Sequence, residues 1–140
     1  VAGLLGERGP GDADALLDAA AETGLWLLVE TFDEAGLEDV AGLARRAARR
    51  GIRALLGVNV RDLRTLAVDG ARLGRAAGRL PPDLPAVAES GMRTPADVAA
   101  AAGLGYRLAL VGRALSGADD PGALLSRMIG AGRDAHREVA

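Results

Sequence analysis

The chain has no cysteine and no lysine; all seventeen of its basic residues are arginine. The first absence excludes disulfides and thiolate metal sites, and the second removes any side-chain amine for Schiff-base or general-acid work. Aromatic residues are nearly missing too, with only Trp26, Phe32 and Tyr106, so a core has to be built from leucine, valine, isoleucine and alanine. No apolar run is long enough to cross a membrane or act as a signal segment; Val1–Leu5 falls far short. The expected location is therefore cytoplasmic, with no membrane partner. A net charge of −2 gives no electrostatic case for nucleic acid. No metal-ligand spacing occurs around the single histidine, and no cofactor is expected. There is also no initiator methionine, and Val1 already lies in a strand-like run. That start predicts the C-terminal piece of a longer protein.

What is present is 140 residues, 49% of them hydrophobic, enough for one domain with a real core. Apolar runs of strand length recur at Val1–Leu5, Leu25–Val29, Ile52–Val58, Ala86–Ala88 and Leu108–Val111, with helix-length segments between them. This alternation predicts an α/β fold of five βα units on a parallel sheet. The runs are continuous, as strands buried on both faces should be. Helix starts are expected at Asp12, at a capping box in Thr31-Phe32-Asp33-Glu34, at a second box in Thr94-Pro95-Ala96-Asp97, and at Asp120-Pro121. Gly24, Gly51 and Gly103 stand where helices should end, and the tail beyond Gly130 reads as a fraying helix end.

The stretch Ala88-Glu89-Ser90-Gly91-Met92-Arg93-Thr94-Pro95 ends one apolar run, and Leu110-Val111-Gly112-Arg113 ends the next. Both place small residues between a strand and a helix start. Two adjacent loops of this kind, with free backbone N–H groups, suit a phosphate. Glu89 sits beside that place. Gly57-Val58-Asn59-Val60-Arg61-Asp62-Leu63 ends the third run, and Asn59 and Arg61, two apart, can face one ligand. An arginine fork suits a carboxylate or phosphate; a turn asparagine with a surface Arg61–Asp62 pair is the bland alternative. Glu30 closes the second run, a position suited to an acid or base, or to a solvated loop carboxylate.

Taken together, Leu28-Val29-Glu30, Gly57 to Leu66, Val87 to Pro95, Leu110 to Leu115 and Asp120-Pro121-Gly122-Ala123 closely resemble the indole-3-glycerol phosphate synthase family. The resemblance covers nearly the whole chain. It implies a partial TIM (β/α)8 barrel, residues 1–140 being strands four to eight of a single barrel domain. It also implies ring closure and decarboxylation of 1-(2-carboxyphenylamino)-1-deoxyribulose 5-phosphate in tryptophan biosynthesis. By resemblance, Ser90, Gly91 and Gly112, with Arg113 at the rim, hold the phosphate. Arg61 meets the substrate carboxylate, Asn59 its polar groups, and Leu63 and Leu110 line the pocket. Glu30 transfers protons, and Glu89 steadies the reacting centre or bonds the sugar-derived chain.

The same resemblance puts the general-acid lysine on strands one to three, so the missing N-terminal half of the barrel is the expected partner and the fragment alone is expected to be inactive. Val60 and Arg113 depart from the usual family residues, and the helix between Glu30 and Asn59 is about two turns longer than expected. Two other readings stay open: a non-catalytic phosphate-binding half-barrel, and another phosphate-binding barrel enzyme such as phosphoribosylanthranilate isomerase. Arg45, Arg46, Arg49 and Arg50 read as the solvated outer face of a helix. His136 reads as a surface residue, and Trp26 as packing between sheet and helices.

Overall fold

A computed structural model describes residues 10–62 and 65–139. Within them, α1 (Pro10–Thr23) leads to β1 (Leu27–Thr31), α2 (Leu37–Arg49), β2 (Ala54–Asn59), α3 (Ala71–Ala77) and β3 (Ala86–Glu89). The chain continues through α4 (Pro95–Gly103), β4 (Leu108–Leu110), the short α5 (Arg113–Ser116) and α6 (Pro121–Val139). The four strands are parallel and lie in chain order. Four of the five expected strands are therefore in place, and Val1–Leu5 lies outside the described residues.

The strands follow one another sideways because a helix returns the chain after each. Those helices pack on one face of the sheet. Val29, Leu56, Val58, Ala86 and Ala88 form a single buried cluster with Leu37, Val40, Ala41 and Ala44 of α2, Leu73 and Ala76 of α3, and Ala101 of α4. The aliphatic core foreseen from the shortage of aromatics is thus real, and Tyr106 is the one aromatic inside it. Its hydroxyl donates to the Leu73 carbonyl at 3.1 Å, which meets the need of a buried polar tip. A second cluster joins Leu17 and Ala20 of α1 to Ala47 and Ile52.

The period of two along a strand sends the neighbouring residues to the opposite face. Leu28, Glu30, Leu55, Gly57, Asn59, Val87, Glu89, Leu108 and Leu110 share that face. Leu108 is 45% and Leu110 54% exposed, so β4 alternates, whereas β3 is buried along its whole length.

Several local expectations change. Thr94 caps α4 with a complete box, its hydroxyl accepting from Asp97 N–H while the Asp97 carboxylate accepts from Thr94 N–H. Thr31 does not cap a helix: it ends β1, its hydroxyl donates to the Asp33 carbonyl, and α2 begins only after Gly36. Asp33 Oδ1 accepts from Gly36 N–H at 2.7 Å, so the polar residues build a turn instead. The first helix starts at Pro10, ahead of Asp12. Gly103 is still helical, and Gly105, at φ 96°, makes the turn that follows. The segment after Gly130 is ordinary helix to Val139, and His136 is half-buried in a cleft of about 500 Å³ between α4, β4 and α6. Trp26 is 59% exposed, its ring covered by the Arg53 guanidinium 4.9 Å from the centroid.

Of the four arginines expected on the outer face here, Arg45 and Arg46 of α2 and Arg50 just after it are paired. Arg45 bonds Asp83 at 2.8 Å, and Arg46 and Arg50 converge on Asp14. The Arg46 guanidinium beside Asp14 is the main influence holding that carboxyl below its usual range.

Candidate functional site

The C-terminal ends of β1, β2 and β3 bring Glu30, Asn59 and Glu89 together. Glu30 lies opposite Gly57, and Asn59 opposite Glu89. Asn59 Nδ2 reaches Glu30 Oε2 at 3.5 Å, a long contact, while its Oδ1 accepts from Arg61 N–H at 2.9 Å. That second bond turns the chain at the end of β2.

Glu89 is only 1% exposed. Burial first, then the hydrogen bond and charge of Glu30, push its carboxyl from the usual 4.5 up to about 8. Among the described residues its Oε1 has no hydrogen-bond donor. The cause is local, since the facing group is another carboxylate, and two carboxyls can bond only through a proton. The pair is therefore arranged to keep Glu89 protonated near neutral pH, and a protonated carboxyl can both give and return a proton.

A second region lies at the ends of β2, β3 and β4. An open groove of about 1270 Å³ is lined by Arg61, Ser90, Gly91, Leu110, Gly112 and Arg113. Five of these six were expected to share a ligand through its phosphate or its carboxylate, and Leu110 to line the pocket beside them. Leu63 lies outside the described residues. Ser90 and Gly91 have φ of 66° and 74°, so the backbone after β3 turns through two consecutive left-handed residues. Serine tolerates that conformation at a cost; at Gly91 a side chain would in addition sit 3.3 Å from Val68 Cγ1.

The two helix starts near this turn are not equivalent. The α4 start is closed, because Asp97 Oδ2 accepts from the Arg93 and Thr94 amides at 3.0 and 2.8 Å. Burial raises the Asp97 carboxyl, yet the Thr94 hydroxyl and these amides together hold it below the usual aspartate range. The α5 start has Gly112 at its head and no side-chain cap, and both Gly112 and Arg113 line the groove.

Arg61 is a groove residue whose guanidinium is held in place. Its Nη1 donates to the Leu66 carbonyl at 3.0 Å, and its backbone forms an antiparallel bridge with Val68. Three participants were not foreseen. Arg93 lines the groove, and Arg72 Nη1 donates to the Asn59 carbonyl at 2.8 Å. Gly57 is the third: a side chain there would overlap the Glu89 carboxyl. Its signal was present as a lone glycine inside an apolar strand run.

Among the described residues no group of His, Asp and Glu could hold a metal ion, and no helix is long and apolar enough to cross a membrane.

Comparison with known proteins gives one family. The profile of indole-3-glycerol phosphate synthase matches residues 9–128. The indole-3-glycerol phosphate synthase of a Nocardioides species is 41% identical over 119 residues, 85% of this chain and 43% of that protein. Those of Saccharopolyspora erythraea and Streptomyces coelicolor are 39% and 38% identical over 85% of this chain and 41% of theirs. Thus the chain spans about two fifths of the length of the curated relatives it matches. Among solved structures, a chain of the Amycolatopsis orientalis BexX/CysO complex superposes with a TM-score of 0.58 at 25% identity, covering 91% of this chain and 50% of that one.

Proposed function

The chain belongs to the indole-3-glycerol phosphate synthase family, and from that premise we propose that residues 1–140 are the C-terminal part of one (β/α)8 barrel carrying the phosphate-binding and part of the proton-handling machinery of that reaction. The substrate is 1-(2-carboxyphenylamino)-1-deoxyribulose 5-phosphate, closed to indole-3-glycerol phosphate with loss of carbon dioxide and water. A parallel sheet in chain order, with α2, α3 and α4 packed on one face and Glu30, Asn59 and Glu89 on the other, supports the barrel reading, because a barrel collects its catalytic groups at the C-terminal strand ends.

The observation that carries the reading is the division of the face into two neighbouring sites. Ser90, Gly91 and the uncapped α5 start at Gly112 hold the phosphate, with Arg113 at the rim and Leu110 on the wall. Arg61, fixed by the Leu66 carbonyl, takes the substrate carboxylate. Holding both ends leaves the reacting carbons over Glu30, Asn59 and Glu89. Ring closure needs a proton for the departing hydroxyl and a base to restore aromaticity, and Glu30 and Glu89 sit where either proton would move. The remaining acid is a lysine, which this chain does not contain; it comes from the N-terminal half of the barrel.

The test is complementation. The chain is co-expressed with the N-terminal half of the Nocardioides relative and given the substrate, with indole fluorescence as readout. The pair turns over, the chain alone does not, and Glu30→Gln in the pair lowers kcat by about 100-fold or more. Turnover by the chain alone would overturn the division of labour, and an active Glu30→Gln pair would remove Glu30 from the chemistry.

A further inference from the structure

We propose that Gly57 is a positioning residue: the space over its bare Cα is the slot in which the Glu89 carboxyl reaches across β2 to Glu30, making the two carboxyls one acid–base unit. The strand register alone would keep them apart. Glu30 lies opposite Gly57, whereas Glu89 lies opposite Asn59, two residues further along β2. The Glu89 side chain closes that offset by leaning diagonally over position 57. A Cβ built there would overlap Oε1 of Glu89 and come within 2.9 Å of its Cδ and 3.2 Å of Glu30 Cγ. Both glutamates therefore depend on the same missing methyl.

The other members of the face do not replace this contact. Asn59 donates to Glu30, and among the described residues Glu89 Oε1 has no donor. Among the described strand residues sharing the face, Leu28, Leu55, Gly57, Asn59, Val87, Leu108 and Leu110 carry no charge, so Glu30 is the one titratable group there that meets Glu89. The raised Glu89 carboxyl agrees with this geometry. Nor does β2 need a glycine at 57 for its own sake. Position 57 has no positive φ, and an interior strand glycine is entropically worse than alanine. The slot is a reason to keep it.

The proposal rests on Glu30 and Glu89 forming the proton-handling end of the site, but its test is read without substrate, so its failure and a failure of the reaction assignment are separate results. The chain is labelled with glutamate carrying ¹³C at the side-chain carboxyl, and Glu89 is assigned by its disappearance in Glu89→Gln. In the natural sequence Glu89 titrates near neutrality or above, and Glu30→Gln lowers its midpoint. Gly57→Ala displaces the carboxyl from the slot, lowering the midpoint by about one unit or more, and Glu30→Gln then adds no further shift. Far-UV circular dichroism checks that Gly57→Ala is folded. A folded Gly57→Ala chain with an unmoved Glu89 midpoint, or one in which Glu30→Gln still shifts it as before, overturns the proposal. Glu30→Gln puts no new atoms in the slot, so a Glu89 midpoint that ignores it overturns the proposal even where the alanine variant does not fold.

Discussion

Replacing Glu89 with glutamine should make the chain more stable at high pH and leave it nearly unchanged at low pH. In the folded chain the Glu89 carboxyl is pushed from 4.5 up to about 8 by burial and by Glu30. Between those values the folded state holds a proton that the unfolded state has released, so stability falls as pH rises through that window. It is fully present below about 4.5 and lost by the time pH has passed about 8. At about 1.4 kcal/mol per unit, the ceiling on this loss is about 5 kcal/mol. Glu30 is only half-buried, so water reaches the pair and screens it; an effect of about 2 kcal/mol is the working expectation. Glutamine keeps the shape of the protonated acid, can donate to Glu30 and never ionises. Urea titrations of both chains at pH 5 and pH 9 measure the difference. Glu89→Gln should match the natural chain within about 0.5 kcal/mol at pH 5 and exceed it by about 2 kcal/mol at pH 9. A difference that is the same at both pH values would refute the buried-pair reasoning.

Three further outcomes follow from the same structure. Thr94→Ala removes the hydroxyl half of the α4 capping box and should cost about 1 kcal/mol in urea unfolding; no loss would mean that the box is not holding the helix start. Tyr106→Phe leaves the Leu73 carbonyl without its buried donor and should cost about 1–2 kcal/mol, checked by the shift in thermal midpoint. The unpaired outer edge of β4 among the described residues, with Leu108 and Leu110 exposed beside it, should make the chain self-associate when alone; sedimentation showing a monomer across a wide concentration range would contradict this.

How much of this was legible depended on the range of the interaction. The Thr94 box and the Asp120-Pro121 start are contacts within one helical turn, and both are in place. The Thr31 box has the same local signature, yet Thr31 is claimed by β1 and its pairing opposite Val58, so tertiary pairing wins over a local cap. Trp26 was expected to pack between sheet and helices, but exposure is decided by which distant segments arrive, and it stays 59% exposed with the Arg53 guanidinium over its ring.

By itself the sequence determined the alternation of strands and helices, the aliphatic core and the identity of the polar residues at the strand ends, because period, propensity and capping act over a few residues. Only the tertiary structure decided what those residues do to one another. Register set Glu89 opposite Asn59, and the bare Cα of Gly57 let it cross to Glu30. Each of these depends on distances between strands and loops far apart in the chain, and such distances exist only once the sheet has formed.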